Sequence, residues 1–371
     1  MRIRLHAGSR LERPPFTQVQ AYSWTLGLGQ YFLSRKTCRS VRKFGGLECF
    51  AYLCDKTEKP FLILLMRNLY HLCVASHNEV LFRDEFDFIT FTNLMALATY
   101  KTNEELLADA LMSTHYHLAV MSHDPAPFIA RLRHSYGRYF NYKYKREGRL
   151  GPKGFFQTGI IGTKHRNAAL SYILRNGLHH AQSATPFGYR HCTVNCVFNK
   201  EMGRPPVRHT ITSRSEIASY LPRHSEFPDH FVMNEDGMFL RESFMEIPQL
   251  ELLFVTPRGF LYQMNRISDE IWQKEQMEDN SNEPPITLGT IEHSFDKQSI
   301  SSMLECEKGF RYNPSALDDI AVCNIIDKQL VKRFGKTSVY ALSDVQKLKI
   351  AQVLRNDFHL PQHQISRCLV L

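Results

Sequence analysis

The sequence has no long apolar run, no framework of paired cysteines and no internal repeat of 20 to 50 residues. Its longest apolar stretch, around residues 61–66, stops at Arg67, far short of the roughly 20 residues a membrane-spanning helix needs. Met1-Arg2-Ile3-Arg4 leads into no apolar segment, so a secretory signal is not expected. The 9 cysteines are scattered and odd in number. In a chain this large they suit free thiols in a reducing compartment better than a disulfide scaffold. The expectation is a cytoplasmic protein with no membrane partner. A hydrophobic content of 43% in 371 residues is enough for one to three domains with a real core.

Acid is missing from one segment in particular. Between residues 131 and 175 there are eleven Lys or Arg and one acid, Glu147, a balance of +10 against a whole-chain charge of +9. The basic excess of the chain therefore sits in that segment. Such a cluster can neutralise phosphates and release their counterions, although a solvated helix face can look the same. The candidate contacts are Arg131, Arg133, Arg138, Lys143, Lys145, Arg146 and Lys153.

Residues 1–65 show no clean periodicity and form an extension of unknown role. A β-rich strand is expected at Tyr70-His71-Leu72-Cys73-Val74-Ala75. Helical spacing over 82–100 is carried by Phe86, Ile89, Phe91, Leu94 and Leu97. A second strand falls within 108–120, a helix over 127–144, a Gly/Pro-rich loop after it, a third strand over 155–161 and a helix over 167–180. The fold class this implies is α+β: a ferredoxin-like antiparallel sheet with helices on one face, followed by a mostly helical C-terminal region. Residues 66–190 would be the functional domain. Prolines punctuate 191–340, with an acidic, polar link near 275–285. Residues 341–371 read as a helix-turn-helix-like tail, which a further helix after Leu371 would complete.

The chemistry-bearing residues are few. In His115-Tyr116-His117 the two imidazoles sit at i and i+2, on one face of a strand, where they can share a metal ion; in a chain with 17 histidines the pair can also be incidental. Tyr172 and Asn176 sit at i and i+4, on one face of a helix. A tyrosine there can attack phosphorus while an amide oxygen one turn on reaches the same cation; a core tyrosine beside a surface Asn is the plainer alternative. His191, Cys192 and Cys196 hint at zinc, but no second ligand pair follows at the right spacing.

Taken in order, these parts are similar to a family pattern. Over residues 68–189 the chain resembles the HUH-type single-tyrosine transposases, especially the REP-associated tyrosine transposase branch. Tyr70-His71-Leu72 with Leu81-Phe82-Arg83-Asp84 resembles its opening strand and "F-R-D" turn. The run from Leu111 through His115-Tyr116-His117-Leu118-Ala119-Val120 resembles its "M-P-N-H-x-H-L-L-V" strand. Ser135-Tyr136-Gly137-Arg138-Tyr139-Phe140-Asn141 resembles its basic helix, Gly154-Phe155-Phe156-Gln157 its "L-F-Q-x-R-F", and Tyr172-Ile173-Leu174-Arg175-Asn176 its "Y-I-H-L-N-P". Two departures stand out: Gly177 replaces the usual proline, and Ser113-Thr114 replaces Pro-Asn.

The resemblance implies that His115, His117 and Asn176 are ligands of Mg²⁺ or Mn²⁺. It implies that Tyr172 attacks a DNA phosphate to give a 5′-phosphotyrosine and a free 3′-OH, in a strand transferase that cuts and rejoins single-stranded or hairpin DNA as a monomer or homodimer. Tyr136, Tyr139, Tyr142 and Tyr144 of the basic helix are expected to stack on bases or to pack. The alternative is a DNA-binding protein recognising hairpin or repeat DNA without efficient chemistry. A water-using phosphodiesterase would need nearby acids, and only Asp109 and Asp124 are close.

Overall fold

The computed structural model describes residues 42–44, 47–49, 67–76, 78–205, 207, 209–265 and 312–371. The expected N-terminal extension, apart from the short paired strands β1 (Arg42–Phe44) and β2 (Leu47–Cys49), and the acidic link near 275–285 lie outside the described residues.

The chain is mixed helix and sheet. Its main sheet holds β3 (Asn68–Ala75), β4 (Glu105–Leu111), β5 (His115–Ser122) and β6 (Phe156–Gly159) in the order β4-β5-β3-β6, all neighbours antiparallel. The expected second strand within 108–120 is in fact a hairpin. Leu111 ends one strand, residues 112–114 turn, and His115 opens the next, with Met112 N–H donating to the His115 carbonyl at 2.8 Å. Ser113 and Thr114 supply this turn without the glycine or asparagine that usually marks one.

Helix α1 (Glu85–Thr102) joins β3 to β4, and α2 (Ala126–Tyr144) joins β5 to β6. Asp84 starts α1: its carboxylate accepts from Asp87 N–H in a reciprocal capping box. Strand alternation sends Leu72 and Val74 of β3 and Tyr116, Leu118 and Val120 of β5 to one face, where Phe88 and Phe91 of α1 and Phe128, Leu132 and Phe140 of α2 bury them. The other face carries Leu69, Ala108, Ala110 and Ala119 and is covered by Leu170, Ile173 and Leu174 of α3 (Gly162–Leu174). Helices therefore flank both faces, which corrects the expectation of one covered face. The small side chains of β4 and β5 leave an apolar surface that must be buried too. Phe86, counted in the helical spacing of α1, is 68% exposed.

The helix expected over 167–180 starts earlier and is broken. It ends at Leu174, Arg175 leaves helical geometry at φ −97°, ψ 5°, and α4 (Asn176–His179) resumes. The break is slight, because His179 N–H still donates to the Arg175 carbonyl at 3.0 Å. Beyond it, β7 (Thr210–Ile211) pairs with β8 (Met233–Asn234), and the short helices α5 (Arg214–Ser219), α6 (Arg241–Phe244), α7 (Ile247–Phe254) and α8 (Pro257–Asn265) extend both cores. Helices α9 (Asp319–Ile325), α10 (Asp344–Asn356) and α11 (Gln362–Leu369) build a third core that includes Val80 from the β3–α1 loop. No helix among the described residues is long and apolar enough to cross a membrane.

Candidate functional site

The sheet face that meets α3 concentrates the chemistry. His115 and His117 leave β5 on that face, and His71 leaves β3 beside them, because Cys73 pairs with His117 and His71 sits two residues along. From the helix side come Tyr172, late in α3, and Asn176, first in α4. The ring of Tyr172 lies 5.3 Å from that of His117 and 6.3 Å from that of His71, edge to face in both cases. Asn176 Oδ1 is 3.2 Å from His115 Nε2. The slight break at Arg175 thus leaves both residues facing β5. His115, His117, Tyr172 and Asn176, singled out from spacing, are brought together, and all four are buried.

The orientation of each imidazole has a visible cause. Thr114 Oγ1 lies 3.1 Å from His115 Nδ1, and His71 Nε2 lies 3.0 Å from His117 Nδ1. Both Nδ1 atoms are thereby occupied, and both Nε2 atoms point inward. His117 Nε2, Asn176 Nδ2 and His180 Nε2 are buried without a hydrogen-bond partner. Buried polar atoms are nearly always paired, so a cluster of orphans calls for an explanation. Burial, then the neighbouring imidazoles of His115 and His71, holds His117 well below the usual histidine range. The His180 ring, 4.6 Å from that of His115, is pushed down to about 3 by burial, then by His179 and Arg367. These imidazoles are neutral at pH 7, the form that ligates metals. Among the described residues no group of three His, Cys, Asp or Glu is placed to hold a metal ion. The set at this site is two imidazoles with an amide oxygen as third donor.

Sequence reasoning missed His71, His179, His180 and the orienting role of Thr114. His71 carried a signal, since it shares strand parity with the inward face. His179, whose ring stacks on Tyr172 at 5.4 Å, carried none. The two departures from the family pattern have local partners. Ser113 Oγ donates to Asp319 at 2.7 Å, and a Cβ on Gly177 would lie 2.4 Å from Cβ of Tyr189, whose hydroxyl donates to the Leu111 carbonyl at 2.6 Å.

The basic segment divides in two. Lys143 bonds Asp84 and Asp87 at 2.6–2.8 Å, and the burial of Asp87 lies behind that pairing. Arg146 clasps Glu79 at 2.9 and 3.1 Å, and Arg133 donates to the carbonyls of Lys153 and Gly154 at 3.3 and 3.2 Å. These three side chains already have partners within the fold, which the expectation of phosphate contacts did not include. Arg131, Arg138, Lys145 and Lys153 are exposed. Of the tyrosines, Tyr136 donates to the Leu81 carbonyl at 2.6 Å, Tyr144 to Asp87 at 2.8 Å and Tyr139 to Asp87 at 3.1 Å. Tyr142 alone of the four stands out, 78% exposed, with Lys145 Nζ 4.4 Å from its ring centroid.

The other candidates are structural. Asp109 is fully buried and accepts two bonds from Arg241, at 2.7 and 2.8 Å, so it cannot serve a water-activating cation. His191 stacks on Phe88 at 3.9 Å and pairs with Glu85, and Cys192 lies against the carbonyls of Ile173 and Leu174.

No family model matches the chain, and no curated protein matches it. A solved structure of a REP-associated tyrosine transposase bound to a REP hairpin is similar at 12% identity and a TM-score of 0.33, covering 38% of this chain and 84% of that one. A likeness of that size fixes neither the fold nor the activity.

Proposed function

We propose that the chain cuts and rejoins single-stranded DNA through a covalent tyrosine intermediate, on a ferredoxin-like body spanning β3 to β6. The observation that carries this reading is the convergence of Tyr172, His115, His117 and Asn176 from two elements around orphaned buried nitrogens. A buried structural cluster would pair those atoms. The donor set suits Mg²⁺ or Mn²⁺, held by His115, His117 and Asn176, with imidazole shifting preference toward Mn²⁺. When bound, such a cation would polarise the phosphate and offset the charge of the phenolate.

The chain's own groups do the rest. Tyr172 Oη bonds to phosphorus as its phenolic proton leaves, and the P–O3′ bond breaks, giving a 5′-phosphotyrosine and a 3′-OH. Packing of the Tyr172 ring between His117 and His179 limits its motion and so pre-aligns the oxygen. The energy of the phosphodiester is kept in the new link, so a second 3′-OH can reverse the step and rejoin the strand. Arg131, Arg138, Lys145 and Lys153 bind the backbone, and Tyr142 offers a stacking face.

Incubation with labelled single-stranded hairpin DNA and Mn²⁺ tests this. Wild type should form a covalent adduct, and Tyr172→Phe, which keeps the ring and removes the attacking atom, should form none while still binding DNA. Tyr136→Phe and Tyr144→Phe should keep the adduct. An adduct that survives Tyr172→Phe and is abolished in one of the others refutes Tyr172 as the nucleophile.

A further inference from the structure

His71 stands outside the residues that sequence spacing singles out, yet it is as fully buried as His117 and Asn176. It is fully buried on β3, its Nε2 is 3.0 Å from His117 Nδ1, and its ring is packed edge-on against Phe156 at 5.7 Å and against Tyr172 at 6.3 Å. A neutral imidazole has one N–H and one lone pair, and which nitrogen carries the proton is set by the partner of the other. Two arrangements of the His71–His117 bond exist. In one, His71 Nε2–H donates and His117 keeps its proton on Nε2, where the buried nitrogen has no acceptor. In the other, His117 Nδ1–H donates to His71 Nε2, and His117 Nε2 presents a bare lone pair to the centre of the site. The first leaves a buried donor unpaired, the costlier fault when nothing is bound and useless for holding a cation.

We propose that His71 is the positioning residue of the site, accepting from His117 Nδ1–H and so fixing His117 in the tautomer whose Nε2 lone pair faces Tyr172 and Asn176. The inference rests on the metal-site reading above. It adds that the site is built in two layers: His115 is oriented by Thr114 from its own strand, and His117 by His71 from the neighbouring strand. Outer partners of this kind usually change metal affinity about 10- to 100-fold when removed.

The test uses the full chain and Mn²⁺ alone as probe. His71→Leu keeps apolar volume and removes the acceptor; His71→Gln retains an acceptor at similar reach. Calorimetric titration should show Mn²⁺ binding weakened about 10- to 100-fold in His71→Leu and partly restored in His71→Gln. Adduct formation should then recover at high Mn²⁺ in His71→Leu, a rescue that a merely unstable protein would not show. Long-range ¹⁵N–¹H spectra of histidine-labelled wild type supply a readout that needs no variant to fold, and they should find His117 protonated on Nδ1. Wild-type Mn²⁺ affinity in His71→Leu, or a His117 proton on Nε2, overturns the inference while leaving the site reading in place. Failure of the wild type itself to take up Mn²⁺ overturns both.

Discussion

Gly177 shows how a single position can tie the site to the core. It follows Asn176 directly, and the side chain of Tyr189 fills the space where a side chain at 177 would stand, 2.4 Å from an added Cβ. A proline at 177 would meet the same wall. Gly177→Ala should therefore cost about 1–3 kcal/mol, as overpacking does. Urea denaturation should show it, and the penalty should shrink in a Tyr189→Gly background, where the Cβ and ring that form the wall are both gone. Equal penalties in both backgrounds would mean that the backbone, not the crowding, sets the cost. The displaced Asn176 should also slow adduct formation in the single variant, because its Oδ1 would no longer sit 3.2 Å from His115.

At the scale of elements, a buried guanidinium is among the links between the C-terminal helices and the sheet body. Arg83, fully buried in the turn before α1, donates to both carboxylate oxygens of Asp327 at 2.8 and 3.0 Å and to the Cys368 carbonyl at 3.0 Å. Removing one partner of such a pair leaves the other charge uncompensated, so Asp327→Ala should cost about 3–5 kcal/mol. If urea unfolding shows less than about 1 kcal/mol, the range of an exposed pair, water reaches this ion pair freely. The same residue shows what the sequence can tell and what it cannot. The Phe82-Arg83-Asp84 turn is readable, and so is the Asp84 cap on α1, since capping is local. The partner 244 residues away is not, because nothing local encodes it. The helices α10 and α11 and the strand β3 are legible from their periodicity. The β4–β5 hairpin reads as one strand because Ser113-Thr114 lacks the residues that announce a turn. Of the site, same-face spacing exposes His115 with His117 and Tyr172 with Asn176. Strand parity puts His71 on the inward face of β3, but its place beside His117 needs the strand order β5-β3, which spacing does not reveal.

For the whole molecule, the cluster of neutral histidines sets how stability responds to acid. His117 and His180 titrate in the fold well below the unfolded value of about 6.5. As pH falls below that value the unfolded chain takes up protons that the fold refuses, so stability declines with falling pH and is regained as pH rises. Each such group contributes up to about 1.4 kcal/mol per pH unit in that window. Urea midpoints at pH 7.5, 6.5 and 5.5 should drop in that order, and less steeply in His180→Asn; a flat series would show that both imidazoles are solvated. Charge on the outer surface makes a separate claim. The basic segment nets +10, yet two of its eleven basic side chains, Lys143 and Arg146, are paired with Asp84, Asp87 and Glu79 within the fold. Arg131, Arg138 and Lys145 are exposed along α2 and at its C-terminal cap, beside Tyr142. Reversing these three to Glu should weaken single-stranded DNA binding at low salt and lower the slope of log K against log salt by about 2, at roughly 0.7 for each phosphate no longer neutralised. Lys143→Glu should act differently. It places a third acid beside Asp84 and Asp87, so it should lower the melting temperature sharply while the surviving folded protein keeps the wild-type salt slope. If instead Lys143→Glu flattens the slope and the triple reversal does not, the DNA lies across the start of α1 rather than along α2.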